Sequence, residues 1–156
     1  MSHLPSDVVA ALTDPQLLTL TLYGEARGEP IEGQIAVGCV IRNRVEVGKW
    51  GASYAKVCLA PWQFSCWTPQ GGKANYEATI RAAEQLARSV TLPDDPLLKQ
   101  CAWVAQGIIG YWIQDTVKEA THYVTGAMFE AKPPRWAVNQ IPIAQVAGHV
   151  FFRGIA

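Results

Sequence analysis

Between Asp14 and Val47 the chain is apolar at helical spacing and is interrupted once. Leu17, Leu18, Leu20 and Leu22 form one run, and Ile35, Val37, Cys39, Val40, Ile41 and Val45 form the next. Apolar residues recurring every three or four positions predict helices with a buried face. The first is expected from Pro15, with Asp14 as its cap, to about Arg27, with Gly28 as the stop signal. The second is expected over about Ile31 to Val47. It has almost no polar face before Arg42, which predicts the central helix around which the others pack. A shorter helix starting at Ser6 and carrying Val8, Val9 and Leu12 precedes both.

The pattern then changes. Residues 48–74 contain Pro61, Pro69, Gly71 and Gly72, with a short helix expected at Tyr54 to Leu59 and an extended segment at Gln63 to Trp67. A loop of this length in a compact domain is usually functional or disordered, and its aromatic residues argue for order. Asn75 is expected to cap a helix to about Val90, with Ile80, Ala83, Leu86, Ala87 and Val90 on one face and Arg81, Glu84 and Arg88 on the other. Leu92-Pro93-Asp94-Asp95-Pro96 separates it from another helix, running from Pro96 to about Gly110. Beyond Ala120 the short apolar runs His122 to Thr125 and His149 to Arg153, set apart by Pro133, Pro134 and Pro142, suit short strands. The sum is a mainly helical α+β fold. No repeat or linker interrupts it, so a single domain over residues 1–156 is expected.

Charge and composition narrow the possible partners. The formal net charge is zero and Lys and Arg are scattered, so neither nucleic acid nor an anionic membrane is expected as a partner. The 6 Trp and 5 Tyr permit a sugar-binding groove, since pyranose rings are held by aromatic faces and hydrogen bonds. The start, Met1 to Asp7, lacks the basic and apolar regions of a signal peptide, so synthesis in the cytoplasm and no membrane insertion are expected. A monomer is expected. Cys39, Cys58, Cys66 and Cys101 show no Cys-x-x-Cys spacing and read as reduced, buried thiols; Cys58 and Cys66 flank a Pro-Trp loop and would pair only in an oxidising compartment.

Glu25 is the leading chemical candidate. It falls in the last turn of its helix, where the helix dipole opposes an anion; should apolar neighbours also desolvate it, the protonated form that a general acid needs is favoured. A carboxylate at a helix end can equally be solvated or salt-bridged. Glu29 and Glu32 would share its face if the helix continued, but Gly28 and Pro30 break it. Gln63, Phe64, Ser65 and Trp67 are expected to build one wall of a groove, alternate residues facing cleft and core. His122 and Tyr123, with Trp136, are expected on the opposite wall. His149 reads as a hydrogen-bonded packing residue. Arg42, Asn43 and Arg44 are expected to bond to loops, with contact to glycan as their lesser role.

The run Tyr23-Gly24-Glu25-Ala26-Arg27-Gly28-Glu29, continued by Pro30-Ile31-Glu32-Gly33-Gln34, resembles the signature of the SleB/CwlJ-type cell-wall hydrolases. This is the spore-cortex-lytic enzyme family, whose bacteriophage members serve as endolysins. Further stretches agree in order: Gly33 to Val37 running into Ile41-Arg42-Asn43-Arg44-Val45, Gln63 to Trp67, Thr121-His122-Tyr123, Pro134-Arg135-Trp136 and Gly148 to Phe152. The resemblance covers roughly Leu17 to Arg153. It implies a lysozyme-like lytic transglycosylase fold, peptidoglycan glycan strands as partner, and Glu25 as the catalytic glutamate. Glu29 would then be a secondary, structural carboxylate that caps the next helix or pairs with Arg27 or Arg44.

An ordinary glycosidase needs a second carboxylate as nucleophile or base. A lytic transglycosylase needs one: the glutamate protonates the oxygen between N-acetylmuramic acid and N-acetylglucosamine, then accepts the proton of the muramoyl C6 hydroxyl as that oxygen closes a 1,6-anhydro ring. No cofactor and no metal are expected. An endolysin of this kind would reach the wall after release from the cytoplasm, holin-assisted. Two other readings stay open. One is a zinc-dependent N-acetylmuramoyl-L-alanine amidase using His122 and His149 with a carboxylate or Cys, although the chain has only 3 His and no compact ligand motif. The other is a non-catalytic glycan-binding module.

Overall fold

The computed structural model describes residues 6–89 and 91–156; Val90, which closes the apolar face expected for the Asn75 helix, and residues 1–5 lie outside them. The helices are α1 (Ser6–Ala10), α2 (Asp14–Ala26), α3 (Ile31–Val47), α4 (Tyr54–Leu59), α5 (Lys73–Arg88), α6 (Pro96–Ile109) and α7 (Gly126–Ala131). The strands are β1 (His122–Thr125), β2 (Ala144–Val146) and β3 (His149–Phe152). Among the described residues no helix is long and apolar enough to cross a membrane.

Helix α2 begins one residue earlier than expected, because Thr13 and not Asp14 is its cap. The Thr13 hydroxyl accepts the Gln16 amide while the Gln16 side chain accepts the Thr13 amide, a reciprocal capping box. Leu17 to Leu22 are all buried, so α2 is enclosed on every side by α3, α4, α5 and α6. Two threonines tolerate this position because each hydroxyl bonds within the helix, Thr19 to the Pro15 carbonyl at 2.7 Å and Thr21 to that of Leu17 at 2.8 Å. Helix α3 has the expected bounds and is buried from Gly33 to Arg44 except at Ile35, yet α2 is the helix against which most others pack.

The polar end of α3 ties loops to the helical core. Arg42 donates to the carbonyls of Ile108 and Ile113, Asn43 to that of Ala120, and Arg44 to that of Thr121. Carbonyls in the last turn of α6 and in the chain leading into β1 are thereby satisfied, which locks that chain in place. Asn75 does not cap α5; the helix starts at Lys73 behind Gly72, and the Asn75 side chain instead donates to the Gly24 carbonyl at 2.8 Å.

The antiparallel sheet has the order β1–β3–β2, with Tyr123 opposite Phe151 and Val124 opposite Val150. Strand alternation splits its residues between two clusters. Tyr123 and Phe151 join the main helical core, while Val124, Val150 and Phe152 pack on Ala137, Phe129 and Trp136 in a smaller one. Strand β1 thus presents Tyr123 to the helices and is an edge strand of the sheet.

Candidate active site

Glu25 sits in the last turn of α2, and side chains satisfy the carbonyls beside it. Arg27 donates to the Tyr23 carbonyl at 3.0 Å while lying over the Tyr23 ring, and Asn75 holds Gly24. Helix α2 ends at Ala26, before Gly28, which is not left-handed; the direction changes at Pro30. Gly24 allows the next segment to lie flush on the helix, since a Cβ there would collide with Cys66 and Thr79. That contact brings the Cys66 amide to Glu25 Oε1 at 3.0 Å, with the Ser65 hydroxyl at 3.4 Å. From the other side the Tyr123 hydroxyl donates to Oε2 at 3.4 Å.

The Tyr123 donor keeps its proton. Burial and then the Glu25 charge push the Tyr123 phenol well above its ordinary value, and the same two causes raise the Cys66 thiol. Glu25 is half-buried, with polar donors where sequence reasoning pictured apolar neighbours.

The carboxylate opens into a cleft of about 660 Å³. Glu25, Gln63, Phe64, Ser65, His122, Tyr123 and Trp136 all line it, so residues of both expected walls come together around one cleft with the glutamate. Trp67 does not. Residues Ser65–Trp67 form a 3-10 turn in place of the expected extended segment, which breaks the alternation after Ser65. Trp67 therefore turns into the core at 3% exposure and donates its indole N–H to Thr21 Oγ1 at 3.0 Å. Phe64 lines the cleft but is buried in the core.

Trp50 and Trp62 complete the aromatic lining and were not singled out from the sequence. Trp62 is 65% exposed and has a left-handed backbone (φ 64), a costly conformation for a bulky residue. Its signal was a tryptophan beside proline in a long ordered loop. Trp50 and Trp136 flank the His122 ring with centroids at 5.4 and 4.8 Å. Burial, then the charges of Arg44 and Lys49, push His122 down to about 4, so its ring is neutral at neutral pH.

Glu29 lies outside the cleft lining and pairs with neither Arg27 nor Arg44. Its Oε2 accepts the Gly148 amide at 3.4 Å and its Oε1 lies 3.4 Å from His149 Nδ1. Gly33 makes room for this, since a Cβ there would press on the Glu29 side chain. His149 is buried and packs edge-on against Tyr123, as expected, but its Nδ1 makes no hydrogen bond among the described residues, and the residue also lines the cleft. As ligands for an amidase zinc, His122 and His149 fail on register: they lie at opposite ends of the β1–β3 ladder, about 10 Å apart along it. Among the described residues no three His, Cys, Asp or Glu side chains are grouped to hold a metal. The four cysteines are buried and free, Cys58 and Cys66 included.

A profile of the family described as cell wall hydrolase matches residues 28–152, a stretch that starts just after Glu25. A segment of 52 residues is 46% identical to the spore cortex-lytic enzyme of Bacillus subtilis, covering 33% of this chain and 17% of that enzyme. The corresponding enzyme of Oceanobacillus iheyensis is 44% identical over 52 residues, 33% of this chain and 19% of its own length. The matched segment therefore spans under a fifth of either curated relative. Among solved structures, the catalytic domain of the germination-specific lytic transglycosylase SleB from Bacillus anthracis superposes with a TM-score of 0.61 at 24% identity, over 88% of this chain and 92% of that one. The catalytic domain of the Bacillus cereus SleB protein gives 0.58 at 25% identity, over 88% of each chain. The fold is the one these domains share, as the sequence resemblance implied.

Proposed function

The chain belongs to the cell wall hydrolase family, and from that premise we propose that it cuts peptidoglycan glycan strands as a lytic transglycosylase with Glu25 as acid and then base. The observation that carries this reading is that Glu25 is the one carboxylate among the described residues lining the aromatic cleft, held there by donors from two sides. The 3.0 Å bond from Cys66 anchors Oε1. Among the described residues Oε2 has only the longer Tyr123 contact, and it is the oxygen we assign to carry the proton.

In the first step Oε2 delivers its proton to the oxygen bridging muramoyl C1 and the C4 of N-acetylglucosamine, and the C1–O bond breaks. The carboxylate so formed faces the positive charge developing at C1. In the second step the muramoyl C6 oxygen bonds to C1 and its proton passes to Glu25, which is thereby restored. The product ends in a 1,6-anhydro sugar. Water activation would call for a second carboxylate, and Glu29 is engaged with Gly148 and His149. Trp62, exposed at the cleft, offers a face on which a sugar ring stacks, and Trp50 and Trp136 add aromatic lining.

The endolysin role belongs to the same proposal: residues 1–156 work as one catalytic domain, as a monomer, on the wall of a bacterial cell after holin-assisted release. Its support is the sequence resemblance. Clearing of purified sacculi by the protein, and its loss in Glu25→Gln, tests the enzymatic reading.

A further inference from the structure

Resting on that reading and deepening it, we infer that Arg44 and Lys49 form an anion subsite on the Trp50–His122 wall, which takes a carboxylate carried by the muramoyl substituent of the glycan.

Arg44 is 6% exposed and still lines the cleft. Its Nε donates to the Thr121 carbonyl at 2.6 Å and its Nη1 to Gln63 Oε1 at 3.0 Å, both neutral acceptors. Among the described residues it makes no ion pair. A buried guanidinium without a counter-ion is costly, and burial accordingly pulls Arg44 below its ordinary range. The rings of Trp50 and Phe64, 5.2 and 5.6 Å from its Cζ, offset part of that cost. The described bonds use Nε and Nη1, so Nη2 makes no hydrogen bond among the described residues.

Lys49 adds a second cation beside Trp50, next to the cleft lining and not part of it. Its Nζ lies 5.4 Å from the Trp50 ring centre, it is exposed, and it too makes no ion pair among the described residues. Both charges act on His122 between them. The Trp50–His122 side of the cleft therefore carries positive charge with no anion beside it among the described residues, while Glu25 is tied to Ser65, Cys66 and Tyr123. A strand of N-acetylated sugars is neutral and would not compensate it. The acidic groups of peptidoglycan hang from the muramoyl lactyl ether, either as the bare lactyl carboxylate or as acidic residues of an attached peptide stem.

The test uses the folded Glu25→Gln protein, which binds without cutting, and calorimetry with three soluble ligands. These are the N-acetylglucosamine–N-acetylmuramic acid disaccharide with a free lactyl carboxylate, the same disaccharide as a neutral lactyl amide, and the disaccharide bearing a peptide stem. At least one acidic ligand is expected to bind about tenfold tighter than the amide, and which one does so identifies the source of the carboxylate. The gap should narrow in added salt and shrink when Lys49→Ala or Arg44→Lys is introduced. Lys49 is exposed, so its variant keeps the test open if Arg44→Lys does not fold. Equal affinities, no binding of any ligand, or variants that weaken all three ligands alike would overturn the subsite. If the unmodified protein still digests sacculi in those cases, the subsite alone falls; if it does not, the parent reading falls with it.

Discussion

The Cys66 amide donates to Glu25 Oε1 at 3.0 Å, so the carboxylate ending α2 and the turn that walls the cleft form one unit. A glutamine at position 25 keeps a carbonyl oxygen for that amide but has no proton to give the leaving oxygen. Glu25→Gln is expected to lower turnover on purified sacculi by at least about a hundredfold with an unchanged circular dichroism spectrum. Glu29→Gln, outside the cleft, should retain most of its activity. A dead Glu29→Gln beside an active Glu25→Gln would reverse the assignment.

Gly24→Ala tests the same unit from the helix side. The added Cβ collides with Cys66 and Thr79, and this interior cannot give way freely. Displacing Cys66 moves the donor that holds Glu25, so we expect a stability loss of about 1–3 kcal/mol together with a lower kcat in the folded fraction. Full activity at unchanged melting temperature would show that the turn does not position the carboxylate.

Trp67→Ala and Trp62→Ala are expected to separate scaffold from cleft. Trp67 is core and bonded to Thr21, so its truncation should cost about 3–5 kcal/mol. Trp62 is exposed at the cleft; its truncation should leave stability within about 0.5 kcal/mol and raise KM on soluble glycan. Denaturant unfolding beside glycan kinetics checks both, and the opposite pattern would put Trp67 in the groove.

Much of this site was legible because its determinants are local. Helix α3 has the bounds expected from periodicity and α4 those expected of the short helix in the long loop, and Glu25 and most wall residues sit in short runs whose order along the chain is informative. What was missed depends on contacts between distant segments. The Glu29 partners Gly148 and His149 come from the β2–β3 turn, with no trace in the residues around Glu29. Strand β2 is three residues long and exists through its pairing with β3. Helix α7, capped by the Thr125 hydroxyl, is too short for a period to show. At the start of α2 two adjacent residues could cap, and Gln16 decided for Thr13.

His122 makes stability depend on acid. The unfolded ring takes up a proton near 6.5 while the folded ring stays neutral down to about 4, so across that window the unfolded state binds more protons. The contribution is fully present above 6.5 and is lost as the pH falls toward 4. Melting temperatures over pH 7 to about 4 should therefore drop less steeply for His122→Gln than for the unmodified protein. Identical slopes would mean that His122 is not held neutral.

Mass spectrometry of the soluble muropeptides released from purified sacculi tests the central claim most directly. Transglycosylation through Glu25 predicts muramoyl ends lighter by one water than the hydrolytic product and resistant to borohydride reduction. Reducible muramoyl ends would instead mean that water attacks C1, and free peptide stems with intact glycan would mean that the bond cut is the amide; either result contradicts the account.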